Sequence, residues 1–419
     1  MRIGIFGGTF DPIHKGHLAI LDAAASGGFF ERIYVVPSAI PPHKPLSSIS
    51  MSTYRYEMVR IAIKNMNFSI PVILSDIEIC RHQVSYTLDT VREIRRQFRT
   101  EPVIDLICGS DVVFDIRNWH RPDELLHETG LYLALRPGYG GQELYDHIEE
   151  VRNRFSARIE LFSADLIDIS SVQLREKLAS GSSADPYIAP EVLRWIRKNA
   201  LYDPVYDFQK DIRPETMQKL ADYEFRLRSL ISSQRLVHSL NTMKECVRLG
   251  MHFGASPDRC AIAGLLHDCT KHSKSGIFAV EDLALTNNSY NDIIGIPAEI
   301  EHAYTGSVYA QRYFGIEDED VLNAIRYHTT SRPDASLIEK ILFVADKIEP
   351  GRTFHRIDEI RQITYRCLDD GLLECLRDIM RHLEETGKTI HPDTSAAFSS
   401  LASDQEGLKQ DWTGTTRSE

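Results

Sequence analysis

The chain opens with residues 1–17, Met-Arg-Ile-Gly-Ile-Phe-Gly-Gly-Thr-Phe-Asp-Pro-Ile-His-Lys-Gly-His, and this stretch decides the fold around it. Its apolar start predicts a short buried strand, and Gly7 and Gly8 allow close approaches that other residues do not. His14 and His17 are three positions apart, so on a helix they share one face. Because helix N-termini and imidazoles both donate to anionic oxygens, the stretch predicts a phosphate site that needs no covalent nucleophile.

The run Gly-Gly-Thr-Phe-Asp-Pro-Ile-His-Lys-Gly-His at residues 7–17 resembles the signature of the HxGH nucleotidyltransferase superfamily. Members of that superfamily join a nucleoside monophosphate to an acceptor phosphate, so the resemblance implies nucleotidyl transfer. The alternative is a glycine turn followed by two surface histidines. Motifs farther along the chain favour the first interpretation.

Length and composition bound the kind of protein. A chain of 419 residues exceeds what one hydrophobic core usually covers, so we expect two domains. The net charge of -12 argues against a broad surface for nucleic acid or anionic membrane, although a small phosphate site can be locally basic. The seven cysteines are scattered and include no Cys-x-x-Cys pair, and neither a signal peptide nor a long apolar run is evident. We expect a soluble, cytoplasmic protein.

Short apolar runs alternate with longer amphipathic runs up to about residue 200. The candidate strands are residues 2–6, 32–37, 72–75, 103–108, 131–136 and 158–162. Strands separated by helical segments predict an α/β, Rossmann-like domain with a parallel sheet, whose ligands bind at the carboxyl ends of the strands.

Three motifs follow the ends of these strands. The loop Pro-Pro-His-Lys-Pro projects His43 and Lys44, and the Ser-Tyr-Thr-Leu-Asp-Thr segment at residues 85–90 opens a helix with hydroxyls that cap it or bind a ligand. Asp111 is placed to accept hydrogen bonds from a ribose, and Trp119 can stack on a flat ring. The alternatives are a proline turn, a helix cap, a solvated loop acid and a core tryptophan.

The last motif of this half is Ile-Ser-Ser-Val-Gln-Leu-Arg at residues 169–175. Ser170 with Gln173 predicts a capping box at the start of a helix, and Gly181 predicts its end. Arg175 lies in the first turns, where a guanidinium beside a helix N-terminus can bind a polyphosphate. A plain capped surface helix explains the serines but not Arg175.

Together these motifs resemble nicotinate-nucleotide adenylyltransferases over about residues 1–200, with Val172 where family members often have threonine. The resemblance implies that ATP and nicotinate mononucleotide form deamido-NAD and pyrophosphate, with Mg2+ neutralising the phosphates. The roles it implies are transition-state stabilisation by His14, His17 and Arg175, ATP binding by Gly7, Gly8, Thr9, Phe10, Gly109, Asp111, Ser170 and Ser171, and mononucleotide binding by His43, Lys44, Tyr86, Thr87 and Trp119.

Two other branches share the opening signature, the cytidylyltransferases and the pantetheine-phosphate adenylyltransferases. Both tend to be more compact, and the long separation between His17 and Arg175 favours the pyridine-nucleotide branch. His43, Lys44 and backbone donors can serve either a nicotinate carboxylate or a nicotinamide amide, so that choice stays open.

After Asp203-Pro204 the pattern becomes helical almost throughout, which predicts an all-α second domain. Histidines and acids recur there on apolar stretches, namely His238, His267, Asp268, His302, His328 and Asp346. Asp346 follows Ile-Leu-Phe-Val-Ala, and an unpaired carboxylate buried on such a helix is costly. A bound cation removes that cost. The alternatives are a salt bridge from Asp346 to Lys347 or Arg352 and hydrogen-bonded core histidines.

The order His, His-Asp, Asp resembles the HD phosphohydrolase superfamily. More narrowly, residues 264–271, 300–306, 324–330 and 343–352 resemble bacterial HD-type hydrolases that cut diadenosine tetraphosphate symmetrically to two ADP. The roles implied are metal binding by His238, His267, Asp268 and Asp346, catalysis by Asp268, and contact with phosphates by Lys271, His302, His328 and Thr329, with a second metal as the alternative for His302 and His328. A solvated side chain is the alternative for Lys271.

Mixed imidazole and carboxylate ligands suit iron, manganese or zinc. We therefore expect a bifunctional enzyme with an adenylyltransferase domain at 1–203, a linker at 204–220, an HD domain at 221–395 and a loose tail at 396–419. Its expected partners are ATP, nicotinate mononucleotide and diadenosine tetraphosphate. The alternatives are a non-catalytic HD nucleotide sensor and an HD domain that hydrolyses another nucleotide.

Overall fold

The computed structural model describes residues 1–41, 44–81, 84–135, 141–165, 167–271 and 297–414, with side chains described up to residue 403. The chain divides into two compact units, Met1–Pro204 and Val205–Glu419, and each is described by itself. The division falls at the position where the sequence pattern changes.

Six parallel strands form the sheet in the described part of the first unit. They are β1 (Arg2–Gly8), β2 (Arg32–Pro37), β3 (Val72–Leu74), β4 (Val103–Gly109), β5 (Gly130–Leu135) and β6 (Ile159–Ser163). The strand order is β3-β2-β1-β4-β5-β6, with every neighbouring pair parallel. The six predicted strands and the Rossmann-like class are confirmed.

Helices connect these strands, as parallel neighbours require, and two further helices follow β6. They are α1 (Lys15–Ser26), α2 (Ser52–Lys64), α3 (Thr87–Arg96), α4 (Pro122–Glu128), α5 (Gln142–Phe155), α6 (Ser171–Ala179) and α7 (Pro190–Lys198), with 3-10 turns at Leu46–Ser48, Ser110–Phe114 and Ile116–Asn118. The predicted capping box of Ser170 and Gln173 starts α6. The helix ends before Gly181, which adopts φ 71°.

The strand order reverses direction between β1 and β4. Both strands lie in the core, where Ile3 is 0% exposed and Leu106 is 2% exposed. In open parallel sheets, ligands bind outside the carboxyl ends of the strands at such a reversal. Because β1 ends at Gly8 and β4 ends at Gly109, both predicted glycine motifs lie there.

The described part of the second unit consists of helices, and no strand occurs in it, as predicted. The helices are α8 (Pro214–Leu230), α9 (Ser233–Phe253), α10 (Pro257–Leu266), α11 (Ala298–Phe314), α12 (Glu319–Tyr327), α13 (Leu337–Ile348), α14 (Ile357–Arg366), α15 (Leu368–Glu385) and α16 (Pro392–Gly414), with 3-10 turns at Pro204–Tyr206 and Gln209–Asp211. Helices α9 and α10 pack closely, since a Cβ on Gly264 would lie 2.6 Å from Cα of Met243.

Two segments differ from the sequence expectation. Helix α16 covers most of the tail predicted to be loose, and Ala397, near the start of that tail, is packed to 2% exposure. Helix α8 begins at Pro214, inside the predicted linker. Among the described helices, none combines the length and apolar character needed to span a membrane.

Candidate active sites

His14 and His17 lie together at the start of α1. His14 precedes the first helical turn and His17 belongs to it, and their ring centroids are 3.7 Å apart. The backbone N–H of His14 donates to Nδ1 of His17 across 3.3 Å. Because Nδ1 accepts this bond, the proton of the neutral ring lies on Nε2. The Nε2–H group can then donate to a phosphate oxygen.

The surroundings of His17 keep its ring neutral. Burial lowers the pKa of His17 well below 6.5, and the positive charges of His14 and Lys44 lower it further. Lys44 donates from Nζ to Oγ1 of Thr9 at 3.3 Å. Burial and the guanidinium of Arg175 lower the pKa of Lys44 below 10.5. These basic groups form one cluster suited to an anionic ligand.

Arg175 reaches this cluster because the N-terminal part of α6 packs against the loop after β1. Its Nη1 atom donates to the backbone oxygen of Asp11 at 2.7 Å, across 164 positions of sequence. Ser171 donates from Oγ to the backbone oxygen of Pro12 at 3.1 Å, across 159 positions. The predicted association of the two motifs therefore has a direct structural basis.

Asp11 and Arg55 are buried and hold the loop after β1 in place through hydrogen bonds. The carboxylate of Asp11 is 2% exposed, accepts the hydroxyl of Tyr202 at 2.7 Å and the N–H of Ser50 at 3.0 Å, and lies 4.0 Å from Nη1 of Arg175. Arg55 is fully buried and donates to the backbone oxygens of Thr9, Ser38, Ala39 and Ser50. Neither residue was predicted to belong to the site. For Asp11, its position inside the opening signature was the available signal.

Several of the residues predicted to bind ATP lie at the ends of β1 and β4. Gly7 is exposed, and a Cβ on Gly8 would lie 2.9 Å from the ring of Phe10. A Cβ on Gly109 would lie 2.5 Å from Oδ1 of Asp111, so glycine leaves room for that carboxylate. Asp111 is itself exposed, beside the end of β4.

Three of the residues predicted to bind the mononucleotide, Tyr86, Thr87 and Trp119, come from two segments that meet. The ring of Tyr86 stacks on His120 with centroids 4.0 Å apart, and His120 follows Trp119 directly. Thr87 begins α3. Trp119 is partly buried and packs against the core of the unit. The alternative interpretation of Trp119 as a core residue therefore holds for the buried part of its side chain. His120 was not predicted, and His43 lies outside the described residues.

In the second unit, histidines gather on both sides of one buried carboxylate, that of Asp268. Ligand atoms of His238, His267 and Asp268 lie within 4.8 Å of one another, and so do those of Asp268, His302 and His328. The two groups share Asp268. A carboxylate shared between neighbouring sets of ligands is suited to a site for two metal ions.

Asp346 lies beside the first group, in contact with both of its histidines. Nε2 of His238 lies 2.9 Å from Oδ1 of Asp346 and 3.8 Å from Oδ2 of Asp268. Nε2 of His267 lies 3.7 Å and 3.4 Å from the same two oxygens. The four residues predicted to bind the first metal are therefore together.

The second group faces the other oxygen of Asp268. Nε2 of His302 and Nε2 of His328 lie 3.2 Å and 3.4 Å from Oδ1 of Asp268, and 3.3 Å from each other. Thr329, next in sequence, has a buried hydroxyl with no hydrogen-bond partner among the described residues. This arrangement is consistent with either of the predicted roles of His302 and His328.

The donor atoms fit a divalent transition metal. Nδ1 of His267 donates to the backbone oxygen of Gly264 at 2.8 Å, and Nδ1 of His328 donates to that of Ile325 at 2.7 Å. These bonds orient both rings with Nε2 as the lone-pair atom. Within the described part of the chain, buried Nε2 of His267 has no hydrogen-bond partner, which a cation would supply.

Cationic side chains surround the two carboxylates. They are Arg235, Lys271, Lys347 and Arg352. The first two lie 2.8 Å and 3.5 Å from oxygens of Asp268, and the last two lie 2.6 Å and 3.0 Å from oxygens of Asp346. The ion pairs considered as the alternative for Asp346 thus occur together with its histidine contacts. Arg235 was not predicted to belong to the site.

The charges in this cluster set the protonation of its members. Burial alone would raise the pKa of Asp268 and of Asp346, but the adjacent imidazole and ammonium groups hold both well below 3.8. Burial lowers the pKa of His302 to about 4. For His238, burial also lowers the pKa, but hydrogen bonds to Asp346 and Glu349 outweigh it and raise the pKa above 6.5. Both carboxylates are ionised and able to bind a cation.

Two family models match the chain. A model described as cytidylyltransferase-like matches residues 5–177, and a model described as HD domain matches residues 235–351. The first range includes the paired histidines and Arg175, and the second includes Asp268 with all four of its neighbouring histidines.

Relatives and solved structures match each half separately. The chain is 35% identical over 204 residues to a probable nicotinate-nucleotide adenylyltransferase of Thermoanaerobacter sp.. This alignment covers 48% of this chain and 94% of the relative. It is 33% identical over 177 residues to a symmetrical bis(5'-nucleosyl)-tetraphosphatase of Bacillus subtilis, and this alignment covers 41% of this chain and 92% of the relative. A crystal structure from Clostridium acetobutylicum, described as a predicted HD superfamily hydrolase involved in NAD metabolism, is 34% identical, with a TM-score of 0.39 and coverage of 44% and 96%.

Proposed function

We propose a function from the premise that this chain belongs to the nicotinate-nucleotide adenylyltransferase family and carries an HD domain in its second half. The protein is a bifunctional enzyme. Its first domain, residues 1–203, makes deamido-NAD and pyrophosphate from ATP and nicotinate mononucleotide. Its HD domain, residues 221–395, hydrolyses diadenosine tetraphosphate to two ADP.

The placement of His17 supports the first activity most directly. Its neutral ring carries a proton on Nε2 and lies in one basic cluster with Lys44 and Arg175. In the reaction, a phosphate oxygen of the mononucleotide attacks the α-phosphorus of ATP in line, and the bond to the β-phosphate oxygen breaks. His17 and Arg175 donate to oxygens whose negative charge grows in that step.

Other residues of the first unit position the two substrates. The nucleotide binds where β1 ends at Gly8 and β4 ends at Gly109, and the exposed Asp111 accepts from its ribose. Tyr86 and Trp119 hold the pyridine ring. Mg2+ bound with the nucleotide neutralises part of the phosphate charge.

The test of this activity incubates the protein with ATP, Mg2+ and nicotinate mononucleotide, with nicotinamide mononucleotide in parallel. Deamido-NAD and pyrophosphate are expected in equal amounts, and the nicotinate substrate is expected to be preferred. If neither mononucleotide yields a dinucleotide, the acceptor is another phosphate and the pyridine assignment is wrong.

The sharing of Asp268 between two histidine groups supports the second activity. His238, His267, Asp268 and Asp346 would hold the first divalent metal, and His302 and His328 would hold a second metal or the substrate. A metal bound there supplies a water of lowered pKa and polarises a phosphoryl oxygen. The surrounding cations, Arg235, Lys271, Lys347 and Arg352, match a ligand with several negative charges.

The cleavage is symmetrical. An oxygen from water adds to one of the two central phosphorus atoms, the bond from that phosphorus to the central bridging oxygen breaks, and each half leaves as ADP. Partly exposed ammonium and guanidinium groups near Asp268 and Asp346 bind the phosphate charge that the substrate brings.

The test of the second activity measures ADP release from diadenosine tetraphosphate with Fe2+, Mn2+ or Zn2+, with and without a chelator. Metal-dependent formation of ADP alone is expected, and Asp268→Asn should abolish it. Diadenosine triphosphate and nucleoside triphosphates, run in parallel, identify a different preferred substrate. Binding of diadenosine tetraphosphate without turnover at any metal would support the nucleotide-sensor alternative instead.

A further inference from the structure

Glu349 lies on the side of His238 that faces away from the Asp268 carboxylate. It follows directly after α13 as the C-cap, where its backbone N–H donates to the oxygen of Ala345 at 3.0 Å, and it is 3% exposed. A carboxylate at this depth requires partners. Oε1 of Glu349 lies 3.2 Å from Nδ1 of His238.

This contact determines the form of the imidazole. When Nδ1 of His238 donates to Glu349, the lone pair of the neutral ring lies on Nε2. Nε2 is the atom that lies 2.9 Å from Asp346, among the ligand atoms of the first group. Histidines that bind metals usually donate their other N–H group to such a partner, which orients the ring and raises its basicity.

The carboxylate of Glu349 is itself held in place. The N–H of Gly351 donates to its Oε2 atom, and Arg361 donates to its backbone oxygen at 2.9 Å. A Cβ on Gly351 would lie 2.9 Å from Oε2 and 2.9 Å from Nδ2 of Asn241. The turn therefore accepts only glycine without displacing the carboxylate.

We propose that Glu349 is a positioning residue of the HD centre, which fixes the tautomer and the orientation of His238 for metal binding without itself binding the metal. This inference rests on the proposed metal centre of the second unit. It adds to the predicted ligand set a residue that acts through His238.

Glu339 offers a matched control on the same helix. It is also 3% exposed, and it forms an ion pair with Arg332 at 2.7 Å rather than a contact with a histidine. Removal of either carboxylate takes an ionic or hydrogen-bond partner away from a neighbouring side chain, Arg332 or His238, so both changes are expected to lower stability. The loss of metal affinity is expected for Glu349 alone.

The experiment compares Glu349→Ala, Glu349→Gln and Glu339→Ala with the unchanged protein. Bound metal is counted after purification, and Mn2+ affinity is measured by competition with a chelator, with circular dichroism as the check on folding. Glu349→Ala should weaken Mn2+ binding about 10- to 100-fold. Glu349→Gln should lose less, because its amide oxygen still accepts from Nδ1, and Glu339→Ala should bind as the unchanged protein does.

Equal affinity in Glu349→Gln, Glu349→Ala and the unchanged protein would overturn the inference, and so would an equal loss in Glu339→Ala. If Glu349→Ala does not fold, Glu349→Gln decides, since its smaller loss is still expected. A different result is expected if the inference holds but the proposed substrate is wrong. The unchanged protein then binds metal, Glu349→Ala binds it weakly, and diadenosine tetraphosphate is not cut. An unchanged protein that binds no divalent metal overturns both.

Discussion

At the scale of single residues, the role proposed for His17 depends on one backbone hydrogen bond. The N–H group of His14 occupies Nδ1 of His17, so the neutral ring presents Nε2–H, and burial keeps it neutral. A neutral donor held in place costs little reorganisation when charge develops on a phosphoryl oxygen. His17 can therefore stabilise the transition state at pH 7 without carrying a charge of its own.

His17→Ala removes that donor. Loss of one prearranged donor to a developing oxyanion typically reduces kcat about 10²- to 10³-fold, and we expect a reduction of that size in deamido-NAD formation, with a much smaller change in KM. Steady-state kinetics with both substrates varied checks this. His127→Ala, at an exposed position of α4, is the control and should retain full activity. A higher KM with unchanged kcat would assign His17 to ground-state binding of the substrate instead.

The neutral state of His17 also predicts a pH dependence of stability. Its pKa in the folded protein is well below 6.5, whereas in the unfolded chain it is near 6.5. As pH falls through 6.5, the unfolded chain takes up a proton that the folded chain does not, so the free energy of unfolding decreases. Between pH 7.5 and 5.5, His17→Gln should therefore lose less stability than the unchanged protein.

Tryptophan fluorescence can follow this in the first unit. In a Trp412→Phe background the remaining tryptophans are Trp119 and Trp195, both in that unit. Urea unfolding at the two pH values, with and without His17→Gln, measures the difference. The same pH-dependent loss in both proteins would show that His17 is not held neutral by the fold.

At the scale of elements, both candidate sites depend on how closely one helix approaches another part of the chain. Helix α6 reaches the loop after β1 through Ser171 and Arg175, which donate to backbone oxygens of Pro12 and Asp11. In the second unit, α9 carries His238 and α10 ends beside His267, and these helices meet at Gly264. The spacing of the two helices therefore sets the spacing of two ligands.

Gly264→Ala tests that spacing. The new Cβ would lie 2.6 Å from Cα and 2.9 Å from the backbone nitrogen of Met243, so α9 would have to move. We expect the second unit to lose about 1–3 kcal/mol of stability, as overpacked cores do, and to bind Mn2+ more weakly. Gly306→Ala is the control, because its nearest atom would be Oγ1 of Thr270 at 3.4 Å. Circular dichroism and metal competition measure both effects, and equal behaviour of the two variants would contradict the expectation.

At the scale of the whole molecule, each candidate site is built from residues of a single compact unit. The basic cluster uses residues of Met1–Pro204, and the histidine groups use residues of Val205–Glu419. Each of the two relatives also aligns with less than half of this chain. The two activities are therefore expected to be chemically separable.

Two single substitutions in the full-length protein test separability. Asp268→Asn should abolish hydrolysis of diadenosine tetraphosphate and leave deamido-NAD formation within about twofold of normal, a smaller change than the roughly 5- to 150-fold that coupled sites typically show. His17→Ala should do the reverse. Loss of both activities in a folded Asp268→Asn protein would show that the sites are coupled and that our assignment of independent sites is wrong.

Much of this organisation was predictable because it depends on residues near one another in sequence. Alternating apolar runs predicted six strands, the spacing of His14 and His17 predicted their common location, and Ser170 with Gln173 predicted the start of a helix. The tail was the exception among the elements. Its polar composition predicted a loose segment, but tertiary packing of α16 buries Ala397.

The sequence by itself determined the α/β and all-α classes of the two halves and the order of their chemistry-bearing residues, since periodicity and motif spacing are local properties. Only the tertiary structure decided which groups share a site. The bond from Arg175 to Asp11 spans 164 positions, and the contact from His238 to Glu349 spans 111. Nothing local encodes such pairs, because they form only when separate elements pack and bury their polar groups together.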